Sequence, residues 1–323
     1  MVNSKGEVVH EFDILNDGPD GIGSNGAWGY RFLGDDKILA QGMMNGYHLL
    51  DLEGKKVGHV PSNAENIYRF TIYKSRTTFH PFYKGNAPMI VGEEVNSFNP
   101  GELDFRKLGA EFYDKARVVF AYNLETRENQ LLETFPEEWE PKASKRFVGE
   151  SLPLVSFNKS KNEIAVLPTS GNQLFLYDYS GEEPVLNGVV ELSHRHRPAQ
   201  AVEVALDQEN RIFDYPNFSD VRHAGEYILV MFSTKIPSDV MRGLLAQDEQ
   251  YTKLPEYQEA RKNYVKPYFL VIKDGKQIGS ISEVPVKANF NFADESGNLY
   301  FNGSGNPDVE KDYNVFYKLQ IKE

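Results

Sequence analysis

The sequence YFLVIKDGKQIGSISEV, at residues 268–284, contains the pattern that decides the fold. An apolar run ends at the turn dipeptide Asp274-Gly275, and a second, more polar run returns. Alternating runs joined by such a turn predict a β-hairpin. The pattern recurs as VNSKGEVVHEFDI (2–14), YHLLDLEGKKVGHV (47–60), VVFAYNLETRENQLLETF (118–135) and LFLYDYSGEEPVLNGVVEL (174–192). Five copies predict an antiparallel, mainly β protein.

A second kind of hairpin precedes most of these copies. It occurs as YRFLGDDKILAQG (30–42), LVSFNKSKNEIAVLP (154–168), FSDVRHAGEYILVMF (218–232) and NFNFADESGNLYFNG (289–303). Four strands then form a unit of roughly 40 to 50 residues, which is the spacing of a propeller blade. Radial stacking of such units covers both faces of each small sheet. The sequence therefore predicts a single β-propeller domain over residues 1–323.

The number of blades depends on the two ends of the chain. The final unit offers only three strands and ends with YNVFYKLQIK at 313–322, whereas the N-terminal segment offers only the outer hairpin of a unit. Residues 7–14 can pair beside the last strand and complete five blades. Alternatively, the native chain begins upstream of Met1 and has six. Because NSKGEVV repeats the LEGKKVG hairpin, we expect six blades with the first one incomplete.

Three stretches interrupt the strand pattern. Residues 76–116 lengthen the second full unit, and residues 237–266 carry the best helix signal, which predicts a small helical insertion near 238–264. The stretch NDGPDGIGS at 16–24 is rich in glycine and proline, and it predicts a tight connection leading into the next blade. Its acidic residues lack the spacing of a calcium loop.

Composition excludes several classes of function. The 323 residues include no cysteine, which excludes disulfides, cysteine-ligated zinc and thiol catalysis. The net charge of -12 argues against nucleic acid or an anionic membrane as a partner. No apolar run approaches the length of a transmembrane segment, and MVNSKGEVVH lacks the features of a signal peptide.

The densest cluster of candidate binding residues is His194, Arg195, His196 and Arg197, in ELSHRHRPAQ. In a strand, the two histidines point to one face and could begin a metal site, but no second pair of ligands is evident from spacing. We therefore predict no metal. An anion or ligand contact and a solvated connection between blades remain as the two interpretations.

Five further residues are candidate ligand contacts. Arg69 lies in IYRFTIYK, a predicted innermost strand, where it can meet a ligand or pair with a carboxylate. The other four occupy comparable positions near the starts of blades or the ends of insertions: His80, Glu150, Asp214 and Asn217.

Motifs for catalysis and cofactors are weak. The stretch from Gly149 to Pro153 resembles half of a nucleophile elbow, but the second glycine is missing and no strand-to-helix turn follows. No P-loop or dinucleotide fingerprint occurs, so we predict no cofactor. With 47 acidic residues, a pair of carboxylates suited to glycoside chemistry stays possible.

Three stretches resemble an uncharacterised Bacteroidetes family of propeller-like envelope lipoproteins. Residues 17–21, Asp-Gly-Pro-Asp-Gly, are similar to its Glu-Gly-Pro-Asn-Gly tract, and residues 212–232 and 292–322 are similar to two later segments. The chain departs from the family at Tyr227-Ile228, where a Tyr-Arg pair is common. The resemblance implies a six-bladed, TolB-like propeller of unknown function. It also implies a lipoprotein leader upstream of Met1 and a place in the periplasm or at the cell surface, and it supplies no catalytic residues.

The sequence favours a non-enzymatic propeller that binds a protein, peptide or saccharide at one rim. The alternative is a propeller hydrolase or lyase with a carboxylate and histidine site in the central channel. A cytoplasmic location is the alternative to the envelope.

Overall fold

The computed structural model of the protein describes residues 7–42, 45–64, 66–68, 77–206, 215–303 and 315–322. Its strands form five antiparallel sheets, four with four strands and one with three. In every sheet the strands are neighbours in the order in which they occur along the chain. This up-and-down organisation confirms the predicted all-β propeller of four-stranded antiparallel blades. We number the sheets blade 1 to blade 5.

Blade 1 contains β1 (Ala27–Leu33), β2 (Lys37–Gly42), β3 (Tyr47–Leu50) and β4 (Lys56–Val60). Blade 2 contains β5 (Phe79–Lys84), β6 (Ala87–Glu93), β7 (Val119–Asn123) and β8 (Asn129–Leu131). Blade 3 contains β9 (Leu154–Asn158), β10 (Glu163–Leu167), β11 (Gln173–Asp178) and β12 (Val185–Glu191). Blade 4 contains β13 (Phe218–Ala224), β14 (Tyr227–Ser233), β15 (Pro267–Lys273) and β16 (Lys276–Ile281). Blade 5 contains β17 (Ala288–Ala293), β18 (Asn298–Gly303) and β19 (Phe316–Gln320).

The chain divides into two compact units. Unit 1 comprises Met1–Ser97 and Phe120–Leu131, and it holds blades 1 and 2 apart from the first residue of β7. Unit 2 comprises Phe98–Val119 and Leu132–Glu323, and it holds blades 3, 4 and 5. The single domain over residues 1–323 stays a prediction.

The number of blades corrects the expectation of six. The described residues form five blades, which is the number in the alternative interpretation, but residues 7–14 add no strand to the fifth. Of the predicted hairpin at 2–14, residues 2–6 lie outside the described residues, and residues 7–14 contain a single bridge residue, Val8, and no strand. Phe12 and Ile14 instead pack against a cluster in blade 1 that includes Ile22 and Ile38. Two of the apolar residues that predicted a strand, Phe12 and Ile14, therefore pack on blade 1, whereas Val8 and Val9 are exposed.

The predicted insertion at residues 76–116 also needs correction. Its first part, RTTFHPFYKGNAPMIVGEEV, contains β5 and β6, which are the first two strands of blade 2. The segment IYRFTIYK, predicted as an innermost strand, lies mostly outside the described residues. Only the part after Glu93 interrupts the blade, and it carries two short helices, α1 (Phe105–Leu108) and α2 (Phe112–Lys115).

The blades pack through apolar side chains that alternate along each strand. In blade 4, Val230 and Phe232 belong to a core shared with blade 3. Leu229 belongs to a second core, shared with blade 5, that includes Phe290 and Phe301. Because successive side chains point to opposite faces, one strand supplies both cores. The aromatic richness of the sequence is accounted for by this packing.

Three helices complete the structure. The short α3 (Glu140–Ala143) precedes blade 3, and α4 (Ser238–Gln247) and α5 (Pro255–Tyr264) form the predicted insertion in blade 4. The apolar faces of α4 and α5 meet in a small separate core. No helix among the described residues is both long and apolar enough to span a membrane.

The stretch at residues 16–24 forms a closed loop that leads into β1. The amides of Ile22 and Gly23 donate to the carbonyls of Leu15 and Asn16, each at 2.9 Å. A Cβ atom at Gly21 would lie 2.6 Å from the carbonyl oxygen of Asn16, so only glycine fits there. The glycines therefore serve the close approach of two backbone segments.

Candidate functional site

The run from His194 to Arg197 forms a turn after β12, in which the amide of Arg197 donates to the carbonyl of His194 at 2.9 Å. We call residues 194–197 the basic turn. The expectation of a strand is thus corrected, because β12 ends at Glu191. Arg195 and His196 are exposed, whereas Arg197 is buried. The turn therefore presents two polar side chains outward and anchors itself with the third.

Arg197 is the anchor of the basic turn. Its Nη2 donates to the carbonyl of Gly171 at 2.6 Å, its Nε donates to Oδ1 of Asn172 at 3.1 Å, and its Nη1 donates to the carbonyl of Pro216. The guanidinium lies 3.6 Å from the ring centroid of Phe218. Burial lowers the pKa of Arg197 to about 10, so it stays charged at neutral pH. All three of its nitrogens donate within the protein, which leaves little for a ligand.

Blade 4 holds the basic turn from the other side. Gln277 on β16 accepts from the amide of Ser193 and donates to its carbonyl, both at 2.8 Å. The rings of His194 and His196 lie 4.6 and 5.2 Å from the ring of Tyr268, centroid to centroid. Arg195 and His196 therefore belong to a turn that contacts within the protein hold in one conformation without a ligand.

The charge of the basic turn at neutral pH comes mainly from arginine. Burial lowers the pKa of His194, and the positive charges of His196, Arg195 and Arg197 lower it further. The rings of His194 and His196 lie 5.4 Å apart. Within the part of the chain that the structure describes, no group of three histidine or carboxylate side chains could hold a metal ion. The outward surface therefore combines the guanidinium of Arg195 with the imidazole of His196, beside the half-buried ring of His194.

The other predicted contacts are dispersed. Asn217 accepts from Oγ of Ser170 at 3.0 Å and follows Pro216, so it lies beside the anchor of the basic turn. His80 lies on β5 of unit 1, and Glu150 lies between α3 and β9. Two candidates lie outside the described residues: Arg69 and Asp214.

A buried array that sequence reasoning missed links blades 3 and 4. Oγ of Ser156, on β9, lies 3.0 Å from Nδ1 of His223, on β13, and Nε2 of His223 lies 3.1 Å from Oε1 of Glu163, on β10. Ser156 also accepts from the amide of His223 at 3.0 Å. Burial lowers the pKa of His223 and so favours the neutral imidazole, in which Nε2–H donates to the carboxylate and the hydroxyl of Ser156 donates to Nδ1.

The array resembles a catalytic triad in composition but not in access. Ser156 is 2% exposed, and the carboxylate of Glu163 occupies the open end beside a cavity of about 50 Å³. That volume holds only a few water molecules. Burial lowers the pKa of His223, and the hydrogen bond from His223 lowers the pKa of Glu163. With its serine at the closed end, the array ties two blades together.

Replacing Ser156 by Ala is expected to destabilise the protein by about 2 kcal/mol, because the amide and Nδ1 of His223 lose their buried partner. Urea unfolding followed by circular dichroism measures the change. The matched control is Ser219→Ala on the same strand as His223, where the hydroxyl is exposed and makes a long 3.4 Å contact. Equal stability of the two variants would contradict the structural role of the array.

Comparison with known proteins gives a likeness of fold. No family model and no curated protein matches the sequence. A member of the DUF4221 family from Bacteroides vulgatus is similar, with a TM-score of 0.61 and 12% identity over 98% of this chain and 84% of that chain. A structural genomics protein of unknown function from Bacteroides thetaiotaomicron has a TM-score of 0.38 and 13% identity over 89% and 55%. BamB from Moraxella catarrhalis has a TM-score of 0.33 and 13% identity over 85% and 66%. The first of these shows a shared fold along nearly the whole chain.

Proposed function

We propose that the protein is a non-enzymatic binding propeller and that the basic turn of blade 3 is its contact surface. One observation carries the proposal: Arg195 and His196 are exposed on a turn that Arg197, Gln277 and Tyr268 hold in place. A surface loop needs no such anchoring for solubility alone. Binding residues are commonly loop residues held by a rigid scaffold.

The chemistry of the turn suits an anionic ligand. Nε of Arg195 donates to Nε2 of His196 at 3.2 Å. The two terminal nitrogens of the guanidinium can then bind a carboxylate through parallel hydrogen bonds, and Nδ1 of His196 adds a further donor. Tyr268 is buried beneath the two histidine rings and supports them from below, so the ligand contacts come from Arg195 and His196. We propose an acidic peptide or an acidic saccharide as the partner class.

The net charge of the protein affects how an acidic partner can bind. At -12, the chain as a whole repels an acidic partner, so affinity depends on this local cationic surface. The contribution of Arg195 to binding should therefore fall as salt screens its charge.

A hydrolase or lyase is the second candidate, and the pair of Glu163 and His223 favours it. The carboxylate and the imidazole lie 3.1 Å apart beside a cavity, as a general acid or base would. The small cavity and the buried serine favour the binding role instead. Turnover in a hydrolase screen that disappears in Glu163→Gln would establish this candidate in place of the first.

The envelope is the proposed location. The resemblance of residues 17–21, 212–232 and 292–322 to envelope lipoproteins supports it. Fractionation of the native cells tests the location. Recovery with the membrane or periplasmic fraction is expected, whereas recovery with the cytoplasm would contradict it.

Binding is tested by titrating the protein with hexaglutamate and with trigalacturonate in a calorimeter at low salt. Arg195→Ala is expected to weaken the binding of one of these probes at least tenfold, because a charge-assisted bond is worth about 1.5 to 3 kcal/mol. The matched control is Arg242→Ala, an exposed arginine on α4. The absence of binding to either probe, or an equal loss in both variants, would overturn the proposed surface.

A further inference from the structure

Two histidines face each other across the outer hairpin of blade 1. His48 on β3 is directly opposite His59 on β4 in the antiparallel register, so both side chains lie on the same face of the sheet. The side chain of His48 is buried and that of His59 is exposed. The pair therefore runs from the interior of unit 1 to its surface.

His48 has unsatisfied hydrogen-bonding capacity. The residue is 3% exposed, and within the described residues neither Nδ1 nor Nε2 has a hydrogen-bond partner. An imidazole has at least one donor and one acceptor, and buried polar groups are normally paired. A buried side chain without a partner in the protein is commonly satisfied by a bound ion or water molecule.

The spacing of the two rings fits a shared metal ion. Their centroids lie 4.9 Å apart, with the planes tilted by 38°. Two imidazoles that bind one zinc ion at about 2.0 to 2.1 Å have centroids about 4.5 to 5.2 Å apart when the angle at the metal is about 90° to 110°. The observed separation lies within that window, so neither strand needs to move.

The exposed histidine is already oriented as a metal ligand would be. Nε2 of His59 lies 2.5 Å from the carbonyl oxygen of Asn45, so this nitrogen carries the proton and donates. The lone pair of the ring is then on Nδ1. Metal-binding histidines characteristically donate their other N–H to a carbonyl in this manner.

A side-chain oxygen lies beside the buried histidine. Nδ2 of Asn45 donates to the carbonyl of Ile22 at 2.9 Å, which leaves Oδ1 as the free end of the amide. A Cβ atom at Gly42 would lie 1.7 Å from that oxygen and 3.1 Å from Nε2 of His48. The two atoms thus share the space that a side chain at position 42 would fill.

We propose that His48 and His59 bind a divalent transition-metal ion of the zinc class, with Oδ1 of Asn45 as a third ligand and water completing the coordination. Within the described residues, no third histidine or carboxylate joins the pair. Imidazole nitrogens suit zinc, copper and nickel, whereas calcium and magnesium prefer oxygen. Because only two ligands are imidazoles, we expect reversible binding rather than a closed structural zinc site.

Calorimetric titration of the full chain with Zn²⁺, after treatment with a chelator and its removal, tests the site. We expect one ion per chain with a dissociation constant in the micromolar range. His59→Ala should weaken binding at least tenfold, since it removes one of two nitrogen ligands from an exposed position. His48→Leu should abolish binding.

The matched control is His196→Ala, an exposed histidine of the basic turn in unit 2. It should leave zinc binding unchanged. The site is overturned if wild type binds no zinc, or if His196→Ala removes binding that His59→Ala leaves intact. Circular dichroism of each variant reports folding, and the exposed His59→Ala keeps the test valid if His48→Leu does not fold.

Discussion

Replacing Arg197 by Ala is expected to lower the free energy of unfolding by about 3 to 5 kcal/mol, which is the cost of breaking a buried, hydrogen-bonded charge site. The change orphans the carbonyls of Gly171 and Pro216 and Oδ1 of Asn172, and it removes the guanidinium from the face of Phe218. Urea unfolding followed by circular dichroism measures the loss. A loss of this size would make Arg197 one of the strongest single contributors to unit 2.

Two further variants show whether the hydrogen bonds or the charge matter. Arg197→Lys keeps the charge but has no planar fork, so it should recover only part of the loss. Arg195→Ala, two residues away and exposed, should change stability by less than about 0.5 kcal/mol. If Arg195→Ala and Arg197→Ala destabilise the protein equally, the anchoring role of Arg197 is wrong.

Acidification is expected to destabilise the protein through His48. Burial, together with the nearby charges of His59 and Lys56, lowers the pKa of His48 to about 4. Between the unfolded pKa near 6.5 and the folded pKa, the unfolded chain binds more protons than the native state. Stability therefore falls as the pH falls through this window, by up to about 3 kcal/mol at pH 4.

The variant His48→Leu removes this titration and fills the same space with apolar atoms. Its unfolding free energy should be at least that of wild type at pH 7, because two orphaned nitrogens disappear. Between pH 7 and pH 4 it should lose less stability than wild type does. Urea unfolding in the presence of a chelator measures both, and parallel pH profiles of the two proteins would contradict the assignment to His48.

The hairpins were predictable because turn chemistry and side-chain alternation are local. The stretch at 268–284 became β15 and β16, and the helix signal near 238–264 became α4 and α5. The stretch at 2–14 has the same local pattern, yet within its described part Phe12 and Ile14 pack on blade 1 and form no strand. Pairing of a strand depends on which edge is free in three dimensions, and no local pattern contains that information.

Blade 2 shows a second limit of predicting strands from the sequence. The alternating segment at 67–74 and residues 79–93 both satisfy the strand pattern, so the sequence alone does not decide which of them supplies the inner strands of blade 2. The pairing of β5 with β6 and of β7 with β8 identifies residues 79–93 as the inner hairpin. Insertions are hard to locate in repeats because an apolar alternating segment satisfies the strand pattern wherever it occurs in the repeat.

Some features of the candidate sites were visible in the sequence, and others depend on the three-dimensional structure. The run at 194–197 was visible as a cluster, but the opposite directions of Arg195 and Arg197 depend on a turn and on blade 4. The pairing of His48 with His59 could have been found from the register of the predicted hairpin at 47–60. Ser156 and His223 are 67 positions apart, and only the stacking of two blades brings them together.

Hydrogen exchange with and without a saturating acidic probe shows directly whether the basic turn is the contact surface. With whichever of hexaglutamate and trigalacturonate binds in the calorimeter, we expect slower exchange confined to residues 192–198, which contain the basic turn. The Arg195→Ala variant should lose that protection, and Arg242→Ala should keep it. Protection elsewhere in the chain, with the basic turn unchanged, would contradict the account.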